Sequence, residues 1–286
     1  MDGDERPAYG FSESRLRQEP SSFAPNLFRD RVVVVSGAGS GFGKAIATLF
    51  ARLGASVAIN GRDADKLAAS ETFLRSLGGE VFSMAHTIRD VDAVESFIDD
   101  VHRAFGRIDV LVNNAGGQFA QPAIGISRKG WLAVVDTNLN GTWWMTQAVA
   151  RRWIAQQRSG NIVNIVASVT RGLPGMAHSA AARAGVVAMS KTVAVEWAPY
   201  GIRINCVAPG CCESTGFNNY TREGAATFAE SNPLRRTGDE WDIAEAVVYL
   251  AGPSGKFITG ETLAVDGAQQ LWGDPWPTGR PAHFKI

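Results

Sequence analysis

The sequence predicts an α/β fold: a doubly wound, seven-stranded parallel sheet with helices on both faces, three layers in all. Three observations carry this. From Arg31 onward, short apolar or β-branched stretches alternate with longer helical patterns. Two of those stretches, 32–35 and 108–112, are almost continuously apolar, as strands buried on both faces are. The connections between strands are long enough for the crossover that parallel neighbours require.

The elements follow in order. Residues 1–29 lack periodicity, hold three prolines and read as an extended arm, open to packing on a neighbour. A single domain is expected over 30–270. Its strands are expected near 31–36, 55–60, 80–86, 108–112, 160–166, 202–207 and 262–265. Helices are expected over 42–53, 63–77, 91–105, a long stretch at 127–157, 178–198 and 241–251. The segment 211–238 is irregular, with mixed polar and aromatic residues; it reads as a substrate lid or as a surface excursion. A tail over 271–286, with Trp272 and Trp276, is expected to pack on the body or on a partner subunit. There is no internal repeat.

Composition narrows the function classes. The 286 residues are 45% hydrophobic and 20% charged, as in an ordinary globular protein. Lys and Arg number 28, and so do Asp and Glu, so no basic footprint for nucleic acid or an anionic membrane arises. No apolar run is long enough to span a bilayer, and the polar start Met1-Asp2-Gly3-Asp4-Glu5-Arg6 shows no signal core. The cysteines, Cys206, Cys211 and Cys212, make no disulfide framework and no metal-ligand spacing, so no metal is expected and a reducing cytoplasm fits. Cys211 and Cys212 read as small pocket-wall residues.

The glycine-rich turn after the first strand is the main chemical signal. Gly37, Ala38, Gly39, Ser40, Gly41, Phe42 and Gly43 lead straight into a helix. A helix N-terminus presents unpaired N–H groups and partial positive charge, and glycine lets an anion approach the backbone. Strand, turn and helix together predict a pyrophosphate site for a dinucleotide. The second strand ends Asn60-Gly61-Arg62-Asp63. At that edge an acid would bind a ribose 2′-hydroxyl, whereas a guanidinium suits a 2′-phosphate. Arg62 therefore predicts NADP(H) over NAD(H), and Asp63 reads as a helix cap.

Further along, Asn113-Asn114-Ala115-Gly116-Gly117-Gln118-Phe119 closes another strand at its ligand-binding edge. Together with the spacing Gly37-x-x-x-Gly41-x-Gly43, this run resembles the short-chain dehydrogenase/reductase family. The resemblance covers about 28–269 and implies a Rossmann domain that binds the dinucleotide through the glycine turn, Arg62, Ile88, Asn114, Ala115 and Gly116. It implies that Gln118 and Phe119 border the substrate pocket. It implies that Asn138, on an otherwise apolar helix, is the active-site asparagine, which in relatives holds a water of the proton relay. The run Ile204-Asn205-Cys206-Val207-Ala208-Pro209-Gly210 matches the strand end beneath the nicotinamide. There Pro209, Gly210, the backbone of Cys212 and the hydroxyl of Ser214 or Thr215 are the implied contacts. Paired long helices in relatives imply a homotetramer.

The family's serine and Tyr-x-x-x-Lys pair are not reproduced. The helix begins Ala177-His178-Ser179-Ala180-Ala181-Ala182-Arg183, so Ser179 stands for the tyrosine and Arg183 for the lysine. Ser168 is the nearest serine to the fifth strand's end, with a shift of one residue open. Arginine is no acid near neutrality and a serine hydroxyl is a weak one, which disfavours alcohol oxidation. Reduction of a C=C bond conjugated to a thioester asks only for donors aimed at an enolate oxygen. Ser168, Ser179 and His178 are candidate donors; water or His178 is the candidate proton source, and His178 also reads as a plain helix residue. The region His178–Val186 resembles peroxisomal trans-2-enoyl-CoA reductases. The chain also resembles 2,4-dienoyl-CoA reductases and bacterial citronellol/citronellal dehydrogenases. The expectation is an NADPH-dependent reductase of an enoyl- or dienoyl-CoA-like thioester. The alternatives are a terpenoid or hydroxyacyl alcohol/aldehyde dehydrogenase and a cofactor-binding sensor or scaffold without catalysis.

Overall fold

The computed structural model describes residues 9–271. In chain order its main elements are α1 (Glu13–Gln18), β1 (Val32–Ser36), α2 (Gly41–Arg52), β2 (Ser56–Gly61), α3 (Ala64–Arg75), β3 (Val81–Ala85), α4 (Val91–Phe105), β4 (Val110–Asn113) and α5 (Arg128–Val135). A π-turn (Asp136–Gly141) leads into α6 (Thr142–Ala155), β5 (Gly160–Ile165), α7 (Ala177–Trp197), β6 (Ile202–Pro209), α8 (Arg222–Ala226), α9 (Glu240–Ala251) and β7 (Thr262–Val265). The strands form one sheet in the order β3-β2-β1-β4-β5-β6-β7, with every neighbouring pair parallel. The seven strands expected from the sequence are the seven observed.

The valine run of β1 shows why such a strand is unbroken. Val33 and Val35 enter the layer built by Phe50, Leu74 and Val247, while Val32 and Val34 enter the layer built by Phe97, Met145 and Trp153. Both faces are dry, so both need apolar side chains. Asp63 and Asp90 cap α3 and α4 by accepting N–H groups of Lys66 and Ala93, a contribution of about 1 kcal/mol each. The sheet winds one way from β1 through β2 and the other way from β4 onward. The carboxyl ends of β1 and β4 therefore open the crevice where ligands bind in such sheets.

Two expectations need correction. The stretch 127–157 is not one regular helix. At Asp136–Gly141 it widens into the π-turn, because Thr142 Oγ1 donates to the Asn138 carbonyl and the Asn138 side chain is drawn out to a neighbouring loop. The arm is not extended. Ser12 caps α1, Leu16 is 1% exposed, and Trp241 Nε1 donates to the Pro20 carbonyl at 2.7 Å. The arm thus packs on its own chain, because Leu16 and Phe28 can bury apolar surface against α2 and α9. The part before residue 9, and Trp272 and Trp276 of the tail, lie outside the described residues.

The arm also carries an ionic consequence. Phe11 N donates to Glu240 Oε2 at 3.1 Å, and burial, aided by nearby Asp239 and Glu213, raises the Glu240 carboxyl above its ordinary value. A carboxyl raised on folding contributes its stability in full below the unfolded value of about 4.3 and loses it as pH rises through the folded one. Glu240→Gln accepts the same N–H without that loss. Its denaturation midpoint should match wild type near pH 4 and exceed it as pH rises above the unfolded value, levelling off once the folded carboxyl has ionised. A difference that ignores pH would contradict the assignment.

Candidate active site

At the end of β1 the backbone and side chains lock into a cradle. Gly37 has φ +70°, and a Cβ on it would lie 2.8 Å from Ala115 Cα. A Cβ on Gly43 would lie 2.3 Å from the Gly37 carbonyl oxygen and 2.4 Å from Asn114 Nδ2. Asn114 holds this arrangement, its Nδ2 donating to the carbonyls of Ser36 and Gly37. Ser36 Oγ accepts the N–H groups of Asn114 and Ala115, joining the ends of β1 and β4. Ser40 occupies the cap position of α2 with no side-chain cap bond, and Gly41 has φ +56°. By contrast Gly39 has room: the nearest atom to an added Cβ is 3.4 Å away. A small-residue cradle at an uncapped helix N-terminus fits a pyrophosphate. Arg62 stands exposed just past β2, and Asp63 is occupied as a helix cap.

The deeper half of the site centres on Asn138 and Arg183. Asn138 is wholly buried; its Oδ1 accepts the Gly117 N–H at 3.0 Å and its Nδ2 donates to the Gly117 carbonyl at 2.9 Å. Its amide thus pins the loop after β4 through both of its ends. Arg183 reaches across from α7 and donates through Nη1 to the Ile165 carbonyl at 2.8 Å. A Cβ on Gly116 would lie 2.2 Å from Arg183 Nη2, so only glycine admits the guanidinium there. Burial lowers the Arg183 pKa to about 10, against a small opposing influence of Cys206. The group stays cationic at neutral pH. Of its five N–H donors, the Ile165 carbonyl takes one.

The remaining expected residues divide. Ser179, wholly buried, donates from Oγ to Gln118 Oε1 at 2.7 Å, and Gln118 Nε2 donates to Tyr220 Oη at 3.3 Å. His178 is also wholly buried. Its Nδ1 accepts the Ser179 N–H at 2.7 Å, which places the proton on Nε2, and Nε2 has no partner among the described residues. The Phe119 ring packs edge-on against it at 4.5 Å. The Ser168 hydroxyl donates to Asp266 Oδ2, beyond β7, at 2.9 Å. Ile88 is 4% exposed and packs against Gly141 of the π-turn, which turns its side chain to the core. The N–H of Cys212 is taken by the Gly210 carbonyl, and its buried thiol is pushed up to about 12. Gly210 N donates to the Val265 carbonyl, Pro209 accepts the Ser168 N–H, and Ser214 Oγ accepts from Gly216 N.

Sequence reasoning missed Tyr220, Asp266 and Asn164. Tyr220 and Asp266 join the site only through contacts a hundred residues apart or nearly so. Asn113 and Asn164 form a buried amide ladder, Asn113 Nδ2 donating to Asn164 Oδ1 and Asn164 Nδ2 to Ser190 Oγ. Asparagines inside otherwise apolar strands were the available signal. Among the described residues no helix is long and apolar enough to cross a membrane.

The chain is similar to known proteins over most of its length. The family model described as enoyl-(acyl carrier protein) reductase matches residues 37–268. A probable 2,4-dienoyl-CoA reductase of Bacillus subtilis is 38% identical over 252 residues, covering 86% of this chain and 98% of the relative. A 3-oxoacyl-[acyl-carrier-protein] reductase of Staphylococcus epidermidis is 36% identical over 244 residues, covering 85% of this chain and 100% of the relative. The solved structure of a citronellol catabolism dehydrogenase of Pseudomonas aeruginosa superposes with a TM-score of 0.79 at 38% identity, over 87% of this chain and 99% of the other.

Proposed function

Because the chain belongs to the short-chain dehydrogenase/reductase family of oxidoreductases, we propose that it is an NADPH-dependent reductase of the C=C bond in an enoyl- or dienoyl-CoA-like thioester. One observation carries this reading. The first turns of helix α7 offer a buried cation, Arg183, and a single imidazole, His178, whose basic Nδ1 already accepts the Ser179 N–H. The Ser179 proton is committed to Gln118. Such a site can hold an enolate oxygen by hydrogen bonds, while the imidazole nitrogen that could take an alcohol proton is engaged by the backbone.

When bound, a reduced nicotinamide supplies the hydride. The chain's own residues do the rest. The cradle of Gly37 to Gly43 holds the pyrophosphate, and Asn138 fixes the Gly116–Gly117 backbone that borders Arg183. The free donors of Arg183 and the Nε2–H of His178 stabilise the charge that appears on the thioester oxygen. Phe119, Trp131 and Leu132, each more than a third exposed, and the fully exposed Ile124 supply apolar surface for an acyl chain on the loop after β4 and on α5. Segment 211–238 acts as the lid, since Tyr220 bonds Gln118. The reading extends to a homotetramer paired through α6 and α7, where the Trp143–Trp197 stack and the exposed Val195 leave an apolar face.

The test mixes protein and NADPH with crotonyl-, longer enoyl- and dienoyl-CoA thioesters and follows cofactor absorbance. NADP⁺ with citronellol and simple secondary alcohols runs in parallel. Turnover confined to the alcohols would make the protein an alcohol dehydrogenase; tight cofactor binding without turnover would make it a sensor. Cofactor choice is tested apart. NADPH should bind at least about tenfold tighter than NADH, roughly 1.4 kcal/mol, and Arg62→Ala should erase that difference. Equal dissociation constants in the wild type would remove the assignment.

A further inference from the structure

The α7 helix lacks the phenol that its position in the site would call for, yet a phenol is present. Tyr220 arrives from the segment after β6 and is the only tyrosine bonded to a residue of the substrate loop among those described. Its ring is set edge-on against Phe228 at 5.1 Å, and Phe228 in turn packs on Phe217 at 4.9 Å. Tyr9 of the arm closes the other side of Phe217 at 5.5 Å. The ring is therefore fixed by an aromatic cluster, and the hydroxyl is fixed by Gln118.

The hydrogen bonds run in one direction. Ser179 gives its proton to Gln118 Oε1, and Gln118 Nε2 gives a proton to Tyr220 Oη. The phenol oxygen is thus occupied as an acceptor, while its own proton has no acceptor among the described residues. Of the two hydroxyls in this chain, Tyr220 is the one with a proton left to give. It is half-buried, so water can restore that proton.

We propose that Tyr220 is the catalytic proton donor of this site, brought in by the lid in place of a phenol on α7. The inference rests on the reductase reading above. Once a reduced nicotinamide dinucleotide has added hydride to the β-carbon, the former C=C electron pair resides on the α-carbon and thioester oxygen as an enolate. The Tyr220 O–H bond then breaks, its proton joins the α-carbon through that electron pair, and the phenolate left behind takes a proton from water. Gln118 and Ser179 are positioning residues that hold Oη at the pocket. A donor on the lid also couples protonation to closure, so chemistry awaits a seated substrate.

Tyr220→Phe keeps the contact with Phe228 and removes only Oη. It should lower kcat with an enoyl-CoA about tenfold to hundredfold, change KM by less than about twofold, and leave the NADPH dissociation constant unchanged. A second readout separates a proton donor from a packing residue. In D₂O the wild type should place deuterium on one face of the α-carbon, whereas Tyr220→Phe, protonated by bulk water, should give both faces. If the wild type reduces enoyl-CoA but Tyr220→Phe keeps its rate and its stereochemistry, the inference falls while the reductase reading stands. It falls equally if Ser179→Ala shows these losses and Tyr220→Phe does not, because the bonds would then run the other way. If only alcohols are turned over, the reductase reading fails, and loss of alcohol turnover in Tyr220→Phe would still identify the phenol as the acting group; an unaffected rate would remove it. Turnover in neither panel removes both.

Discussion

Gly43→Ala should weaken binding of NADPH by at least about a hundredfold, some 2.7 kcal/mol, in calorimetric titration. The cause is steric and lies within the protein. The added Cβ would sit 2.3 Å from the Gly37 carbonyl oxygen and 2.8 Å from its carbon. That carbonyl cannot give way freely, since Asn114 Nδ2 holds it at 3.1 Å and a Cβ at Gly37 would itself strike Ala115. To make room the turn must leave α2, and the N–H groups meant for the pyrophosphate leave with it. Overpacking of this kind costs about 1–3 kcal/mol, so the thermal midpoint should fall as well. Gly39→Ala is the matched control. Its Cβ meets nothing closer than 3.4 Å in the protein, so stability should be unchanged, yet the methyl stands where a pyrophosphate must approach. A Gly39→Ala protein that binds NADPH like the wild type would mean that the anion lies elsewhere.

The contrast between these glycines shows what the sequence could carry. A strand, a glycine turn and a helix are local features, and each rests on residues adjacent in the chain. The same holds for the valine run of β1, buried on both faces, and for the caps Asp63 and Asp90. Asn138 was legible because an asparagine in an apolar helix is costly without a reason. Its partner was not, because Gly117 lies twenty-one residues away. The arm's helix α1 escaped notice for a different reason. It spans six residues with one buried apolar side chain, too short for periodicity, and its stability comes from α2 and α9. Ser168 shows the same limit from the other side: its residue type and strand end were legible, but its partner Asp266, ninety-eight residues on, was not. Tyr220 belongs to the same class, since only the folded chain brings it to Gln118.

Arg183 carries the other large effect, and its charge decides the form of the test. Arg183→Ala should lower kcat/KM about 10²–10³-fold, the usual cost of removing one preorganised donor from a developing oxyanion. It also strands the buried Ile165 carbonyl, so some loss of stability accompanies it. The more telling variant is Arg183→Lys, which keeps the charge and restores the residue type common in the family. Burial disfavours the cation at this position, as the guanidinium's fall to about 10 records. An ammonium begins near 10.4 and is desolvated by the same surroundings, so its value in the site should fall further toward neutrality. The sign follows directly: the cation is the active form, and it is lost as pH rises. Wild-type kcat/KM should therefore show no loss from this group until about pH 10, whereas Arg183→Lys should lose activity at distinctly lower pH. A lysine also lacks the planar fork, so it cannot hold the Ile165 carbonyl and a substrate oxygen with one rigid geometry. Its activity should stay below wild type even where it is fully charged. Identical pH profiles for the two proteins would show that position 183 bears no charge that the reaction uses.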